Sequence, residues 1–298
     1  MLKPSKAILG LLLTSLIIPL MPIASARASA QINYLENHCL RFDEAVSYVS
    51  IIVNDAKVYQ PGNFTIELWI NPRFNISAGS DSWWGTHLGR VVTNRIGGGN
   101  WNGWELWFDF RYGELAFEYA PTGSDWRSIR TYRKTWVANE WYYVSFSFSN
   151  CSVSKFYVNG TIDLSCMNRG LEYSDAVDFA IARGMSPPDT FEGMIDEVRF
   201  WNTSRTDSEI SNTWFRTLDP LEYNAPELIG YWRFDEGVGT VSQDFSLQHN
   251  SASLSAPTWT DPGSPIVPEF PSFVILSLFM IVTLLAVLIY RRKHVESR

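Results

Sequence analysis

The sequence predicts an all-β fold in which two antiparallel sheets pack as a jelly-roll sandwich, followed by one C-terminal transmembrane helix. Three stretches carry most of this prediction, because apolar and aromatic residues alternate with polar ones and Gly or Asn-Gly marks the turns. They are FYVNG at 156–160, GMIDEVRFWN at 193–202 and GYWRFDEGVG at 230–239. No helical repeat competes with this period of two.

The other elements follow in order. The strand pair at 40–53 and the strand at 64–70 begin the sandwich, and the latter alternates Phe64, Ile66, Leu68 and Ile70 with polar residues. Further strands are predicted at 104–110, 115–119, 141–148, 194–201 and 229–234. The stretch at 204–214 is predicted to form a short helix, since acidic side chains fall in its first turn and acids are favourable there.

These strands support a resemblance to a known family. Together with CLRFDEAVSYVSI at 39–51, FTIELWINP at 64–72 and NEWYYVSFSF at 139–148, they resemble the laminin-G-like jelly roll. That is the concanavalin-A-like sandwich of lectins, pentraxins and some glycan-processing enzymes. The resemblance covers most of residues 39–254, and all-β domains of about 200–250 residues are common. We therefore expect one ectodomain at 31–256.

The first 30 residues are predicted to be a secretory signal peptide. Two lysines precede an apolar run over 7–20, and Ala-Ser-Ala occurs at 24–26 and again at 28–30. Small residues of this kind are typical of signal peptidase sites. Cleavage is expected after one of the two, and an uncleaved anchor is the alternative.

The other end is predicted to be a membrane anchor. Residues 273–290 are uncharged and almost wholly apolar, and eighteen helical residues rise about 27 Å, close to the roughly 30 Å of a bilayer core. The basic tail at 291–298 is predicted to be cytoplasmic, which places the ectodomain outside the cell. Residues 257–272 include five prolines and are predicted to form a stiff stalk.

Pro268-Glu269-Phe270, ahead of the apolar stretch, resembles the PEF-type sorting signal of archaeal surface proteins. That resemblance implies removal of the helix by an archaeosortase, with lipid anchoring as one result. A retained single-pass helix in the cell membrane is the alternative.

The overall charge bears on the partner. The formal net charge is −7, and the sequence has no basic cluster outside its two membrane-flanking ends. Nucleic-acid partners require such a cluster, so this class is excluded.

The three cysteines lie in the part of the chain that is expected to be exported, where disulfides persist. Cys151 and Cys166 flank a hairpin that turns at Asn159-Gly160. Simple pairing puts Cys151 opposite Asn168, and a bulge or a frayed end would be needed to join the two cysteines. We favour a Cys151–Cys166 disulfide, and pairing of Cys39 with either one stays open.

Glycosylation sequons are a further expectation for an exported chain. Five are present, and that at Asn159 is interpreted as a turn. The predicted glycan carriers are Asn63, Asn75, Asn150 and Asn202.

The sequence lacks the E-x-D-x-x-E run that glycan-cleaving relatives carry on one strand. The sequence does offer a cluster of three acidic residues, Glu105, Asp109 and Glu118. If Arg111 pairs with Glu114, these three side chains share one face of a hairpin. This would make a sugar or cation site, or equally a solvated polar face.

The resemblance also implies a structural Ca²⁺ ion, because related jelly rolls often bind one through carboxylates and backbone carbonyls. Asp43 and Asp196 stand at the family's acidic positions. Ser47 replaces an acid that is common in the family, which leaves the calcium set incomplete.

Tryptophans in predicted loops indicate a ligand surface, because an indole face can stack on a sugar ring. These are Trp83, Trp84, Trp101 and Trp126; the alternative is that the loops fold back and bury them. We expect a non-enzymatic, lectin-like module on the cell surface that binds glycan or a neighbouring surface protein. The alternatives are a glycan hydrolase or lyase with an unfamiliar acid pair, and a structural envelope subunit.

Overall fold

The computed structural model describes residues 37–266, apart from 44–46, 52–58, 60, 81–88, 95–102, 121–124, 172–178 and 184–189. The predicted signal peptide, transmembrane helix and basic tail lie outside the described residues. Within the part that is described, no helix combines the length and the apolar character needed to cross a membrane.

Sixteen strands run through the described residues. In chain order they are β1 (Cys39–Phe42), β2 (Tyr48–Ile51), β3 (Phe64–Pro72), β4 (Arg90–Thr93), β5 (Trp104–Asp109), β6 (Glu114–Tyr119), β7 (Arg127–Arg130), β8 (Tyr142–Phe148), β9 (Val153–Val158), β10 (Thr161–Met167), β11 (Ala180–Ile181), β12 (Gly193–Trp201), β13 (Leu228–Trp232), β14 (Val241–Ser242), β15 (Ala252–Ser255) and β16 (Thr258–Thr260).

The strands form two antiparallel sheets, which confirms the predicted sandwich. Sheet A has the order β10-β9-β8-β3-β12-β1-β16, and β13 pairs with the second half of β12. Sheet B has the order β14-β15-β2-β11-β4-β5-β6-β7.

The alternation in β3 shows how the sequence produces these layers. Phe64, Ile66, Leu68 and Ile70 lie in the core between the sheets, while Glu67 lies on the opposite face. Successive side chains of a strand point to opposite faces, so this pattern fixes which face of sheet A is inside.

Aromatic rings fill the space between the sheets. The rings of Phe117 in sheet B and Phe146 in sheet A lie 4.1 Å apart, and Trp104 stacks on Phe64 at 5.3 Å. Offset and tilted ring pairs of this kind add to the free energy of burial. Much of the chain's aromatic content is therefore core.

Two short helices, α1 (Asp207–Thr213) and α2 (Pro220–Tyr223), cover part of the outer face of sheet A. α1 confirms the helix predicted at 204–214 and begins with a capping box between Thr206 and Glu209. Its buried residue Ile210 packs against Trp69, Tyr143 and Tyr157.

A buried ion network joins α1 to sheet A. Arg205 donates to Glu67 at 2.6 Å, and Arg199 donates to Glu197 at 2.9 Å. Arg199 also donates to the carbonyl of Thr213, the last residue of α1, at 3.0 Å. Buried charges are tolerated when they are paired in this way, so the network holds the helix on the sheet.

The sandwich extends past the boundary predicted at residue 256. β16 pairs with β1, and the backbone N–H of Ser264 donates to Asp196 at 2.8 Å. The first part of the predicted stalk at 257–272 therefore belongs to the domain. Its prolines flank the short edge strand and do not interrupt it.

The predicted Cys151–Cys166 disulfide is not formed, and all three cysteines are free. β9 and β10 pair in a register that sets Cys166 opposite Ser154. Cys151 lies three residues earlier, in the turn before β9, where its thiol donates to the carbonyl of Arg169 at 3.5 Å. The thiol thus contacts the chain three residues past Cys166, and the two cysteines do not face each other as a disulfide requires.

Candidate ligand-binding site

Of the four tryptophans predicted to form a ligand surface, the described residues include one, Trp126. Trp83, Trp84 and Trp101 lie outside the described residues, so their role stays a prediction. Trp126 is half-buried and immediately precedes β7.

The predicted carboxylate cluster lies on the outer face of sheet B, but the hairpin register differs by two residues. Glu105 stands opposite Glu118 and Asp109 opposite Glu114, whereas the sequence predicted Arg111 opposite Glu114. The turn is longer than two residues because Asp109 accepts hydrogen bonds from the backbone and the guanidinium of Arg111. A shift of two preserves the face, so the three acids do share one surface.

Ion pairs engage the buried acids of this cluster. Glu105 accepts from Arg90 at 2.7 Å, and Asp109 accepts from Arg130 at 2.6 Å and from Arg111 at 2.8 Å. Burial alone would raise the pKa of Asp109, but the hydrogen bonds from Arg111 and Arg130 outweigh it and hold the pKa below its usual range. Asp109 is therefore a poor general acid near neutral pH.

A cavity of about 290 Å³ opens where β3 ends and β12 begins. We call it the edge cavity. It is lined by Pro72, Phe74, Asn75, Ile76, Ser80, Phe110, Thr190, Phe191 and Glu192. The volume is just below the roughly 300–1,000 Å³ typical of small-molecule sites.

Backbone hydrogen bonds hold the walls of the edge cavity in place. Arg73 N–H donates to the carbonyl of Glu192 at 3.1 Å, and Phe191 N–H donates to that of Arg90 at 3.2 Å. Ile76 exchanges two backbone hydrogen bonds of 2.8 Å with Trp136. The cavity is thus built on the ends of both sheets.

The lining combines aromatic rings with a few polar groups. Phe74 is 53% exposed and Phe110 is half-buried. Phe191 stacks on the core residue Phe108, with ring centroids 6.1 Å apart. Thr190 is 5% exposed, and its hydroxyl has no hydrogen-bond partner among the described residues. The oxygen is enclosed by protein, so a ligand in the cavity reaches it only when the Thr190 side chain rotates toward the open space.

Sequence reasoning missed this site because its residues come from three separate parts of the chain. The stretch around 73–101 drew attention through its tryptophans, and nothing in the linear pattern links Phe74 to Phe110 or Thr190. Backbone contacts between distant segments bring them together: Arg90 pairs with Thr190, and Arg73 donates to Glu192.

The structure separates the two residues predicted to bind calcium. Leu40 pairs with Ile195, so Asp196 lies beside the start of β1, whereas Asp43 follows its end. Four residues of strand separate them by about 13 Å. Asp43 is exposed and faces Arg73 at 3.4 Å, so one ion cannot use both carboxylates.

Asp196 lies in an oxygen-rich interior position. It is fully buried, and burial, with nearby Glu197 and Asp235, raises its pKa well above the usual range. The side-chain oxygen of Asn37 is buried without a hydrogen-bond partner. A Cβ at Gly263 would collide with that oxygen and lie 2.8 Å from Asp196 Oδ2.

Oxygen ligands of this kind suit a hard cation. Among the described residues, however, no three His, Cys, Asp or Glu side chains are arranged as a metal site. A cation at Asp196 would therefore depend on amide and backbone oxygens as well.

A sequence profile for the concanavalin A-like lectin/glucanases superfamily, Laminin_G_3, matches residues 43–211. The match covers more than half of the chain. The chain belongs to this family. No curated protein matches it closely enough to count as a relative.

Solved structures agree with this family's fold. A Bacteroides ovatus protein proposed to bind carbohydrate shares 18% identity at a TM-score of 0.55, over 78% of this chain and 62% of its own length. The chain thus covers less than two thirds of that protein, and the likeness shows the fold alone.

Two other solved structures are more distant. Domain 4 of a Geobacillus stearothermophilus arabinanase with arabinotriose has a TM-score of 0.40 and 19% identity, over 59% of this chain and 72% of that one. A Ruminococcus gnavus sialidase module with sialyllactose has a TM-score of 0.45 and 14% identity, over 59% of this chain and 96% of that one. Neither likeness is close enough to support an inference.

Within this concanavalin A-like domain, the predicted glycan carriers Asn63, Asn75, Asn150 and Asn202 are all exposed. Asn159 has a φ of 48° at the tip of the β9–β10 hairpin, which agrees with its interpretation as a turn. Asn75 also lines the edge cavity, so a glycan attached there would stand at the mouth of that cavity.

Proposed function

We propose that the domain is a lectin-like module that binds a sugar residue of a glycan in the edge cavity. The observation that carries this proposal is the combination of exposed and half-buried phenyl rings with the unpaired hydroxyl of Thr190. A sugar ring presents C–H groups on its faces and hydroxyls on its rim, and this lining offers partners for both.

A binding role is favoured over an enzymatic one. The edge cavity has one carboxylate among its described lining residues, Glu192, and Arg73 lies 3.4 Å from it. Glycoside hydrolysis ordinarily needs two carboxyl groups about 5–9.5 Å apart. On the outer face of sheet B, Glu105 and Asp109 are committed to arginines.

We propose further that the module is displayed at the cell surface, with a neighbouring surface protein as the alternative partner. The signal-like residues 1–30 and the apolar residues 273–290 support display. The C-terminal helix is either retained in the membrane or removed and replaced by a lipid.

We also propose a structural calcium ion at Asp196. Asp196 and Asn37 would hold it, and the ion would supply positive charge beside a carboxylate that is buried without a cationic partner among the described contacts. Asp43 is left out because it lies at the other end of β1.

Glycan-array binding of the purified full-length protein tests the function. The protein should come from a host without N-glycosylation, so that Asn75 is unmodified. We expect binding to a defined set of glycans and loss of that set in Phe74→Ala. Tyr132→Ala, which removes a ring that is 73% exposed outside the cavity lining, is the matched control. An array on which wild type binds nothing would contradict the proposal.

A further inference from the structure

We infer that the edge cavity selects neutral sugars with an apolar face and rejects sugars that carry a carboxylate. This inference rests on the proposed function and names the class of sugar that the same site takes.

Charge is the first reason. Among the described residues, the lining contains no Lys or Arg, and its one charged side chain is the carboxylate of Glu192. Carboxylate ligands are bound mainly by charge-assisted hydrogen bonds from Lys or Arg. A uronic or sialic acid would instead meet Glu192 and be repelled.

The nearest arginine does not change this. Arg73 lies 3.4 Å from Asp43 and 3.4 Å from Glu192, and its guanidinium also lies over the ring of Phe74 at 5.3 Å. Two carboxylates therefore compete for this cation before any ligand arrives. An acidic sugar could gain its charge only by displacing them.

Shape and polarity are the second reason. Five of the lining residues are apolar, namely Pro72, Phe74, Ile76, Phe110 and Phe191. A sugar whose one face is formed by C–H groups can lie on these side chains, and a methyl group in place of a hydroxymethyl would fit them better still. We thus place neutral hexoses in the cavity and expect 6-deoxyhexoses to bind most tightly.

The hydroxyl of Thr190 supplies the third reason. It is enclosed by protein and has no described partner in the free domain. A sugar hydroxyl in the cavity gains this hydrogen bond when the Thr190 side chain rotates toward it. Thr190→Val keeps the shape and removes this partner. Because the net contribution of one hydrogen bond is modest, we expect roughly a 2- to 12-fold loss of affinity.

The test is a calorimetric titration of the unglycosylated full-length protein with matched monosaccharides and their short glycosides. Each set holds a 6-deoxyhexose, the parent hexose and the corresponding uronic acid. We expect the order of affinity to follow that sequence, with the uronic acid at least about tenfold weaker than the hexose.

Two variants sharpen the test. Glu192→Gln removes the repelling carboxylate and releases Arg73, so affinity for the uronic acid should rise. Asp125→Asn is its control, because Asp125 also pairs with an arginine, Arg127 at 2.7 Å, outside the cavity. Thr190→Val should lower the affinity for the hexose. Thr240→Val, at an exposed position, is its control.

The outcomes separate the two proposals. Tighter binding of the uronic acid than of the hexose by wild type would overturn the inference and leave glycan binding standing. Unchanged uronic acid affinity in Glu192→Gln, or unchanged hexose affinity in Thr190→Val, would overturn the assigned roles of those side chains. Binding of none of the sugars, together with an empty glycan array, would overturn the proposed function itself.

Discussion

Asp109, on the outer face of sheet B, is held in its ionised form by two arginines. Its carboxylate is fully buried and accepts hydrogen bonds from two arginines. Since these hold its pKa below the usual range, the ionised form is favoured in the folded domain. The contribution to stability is therefore present above the unfolded pKa of about 3.9 and is lost as the pH falls through the folded pKa.

Asp109→Asn should accordingly destabilise the domain by about 1–3 kcal/mol at pH 7, since charge-assisted hydrogen bonds are lost. The cost should shrink as the pH falls below about 4. Urea unfolding at both pH values measures it, with Asp125→Asn, at an exposed ion pair, as the control. An equal cost at both pH values would show that packing and not charge is responsible.

At the scale of the element, the faces of strands could be predicted from the sequence and the registers could not. Alternation assigned Phe64 and Ile66 of β3 correctly to the core, because burial of apolar groups depends only on the period of two. The predicted register of the β5–β6 hairpin differs from the observed one by two residues, since side-chain hydrogen bonds from Arg111 to Asp109 lengthen its turn. Turn chemistry of this kind involves contacts that a linear pattern does not reveal.

The ion network under α1 carries an element-scale prediction. Glu67→Gln leaves Arg205 and Arg199 without full compensation in a buried setting, which typically costs about 3–5 kcal/mol. Chemical denaturation should show this loss, while Glu227→Gln, at an exposed position, should change little. A cost below about 1 kcal/mol would mean that water or a shifted side chain replaces the carboxylate.

A second prediction at this scale concerns the cysteines around the β9–β10 hairpin. Because the thiols are free, the unfolded but unreduced protein should take three alkyl groups, one at each cysteine. In the native protein Cys151 should react first, whereas Cys39 should resist, because burial, with Asp196 and Asp261 nearby, raises the pKa of its thiol. Peptide mapping by mass spectrometry reads both results. A linked Cys151–Cys166 peptide would contradict the register of this hairpin.

At the scale of the whole molecule, the sandwich could be predicted but the edge cavity could not. The sandwich follows from repeated local patterns, whereas the cavity joins Phe74, Phe110 and Thr190 across both sheets. The calcium site likewise depends on strand pairing. The family resemblance implied Asp43 and Asp196 as ligands, but the pairing places them at opposite ends of β1. Asn37, which lies beside Asp196, has no sequence motif that marks it.

Calcium should therefore stabilise the domain through Asp196 and not through Asp43. We expect added Ca²⁺ to raise the melting temperature of wild type and of Asp43→Asn, with reversal by a chelator. Ligand that binds only the folded state stabilises it by about 2.7 kcal/mol at a hundredfold excess over Kd. The shift should be absent in Asp196→Asn. Equal shifts in all three proteins would place the ion elsewhere.

The most direct measurement is the affinity of wild type and Phe74→Ala for the glycan that the array ranks highest. Phe74 is exposed, so its loss should leave the melting temperature nearly unchanged. Loss of the apolar area that the ring buries against the sugar should lower the affinity at least about fivefold. Tyr132→Ala should bind as wild type does. Equal affinities for Phe74→Ala and wild type would show that the edge cavity is not where the glycan binds.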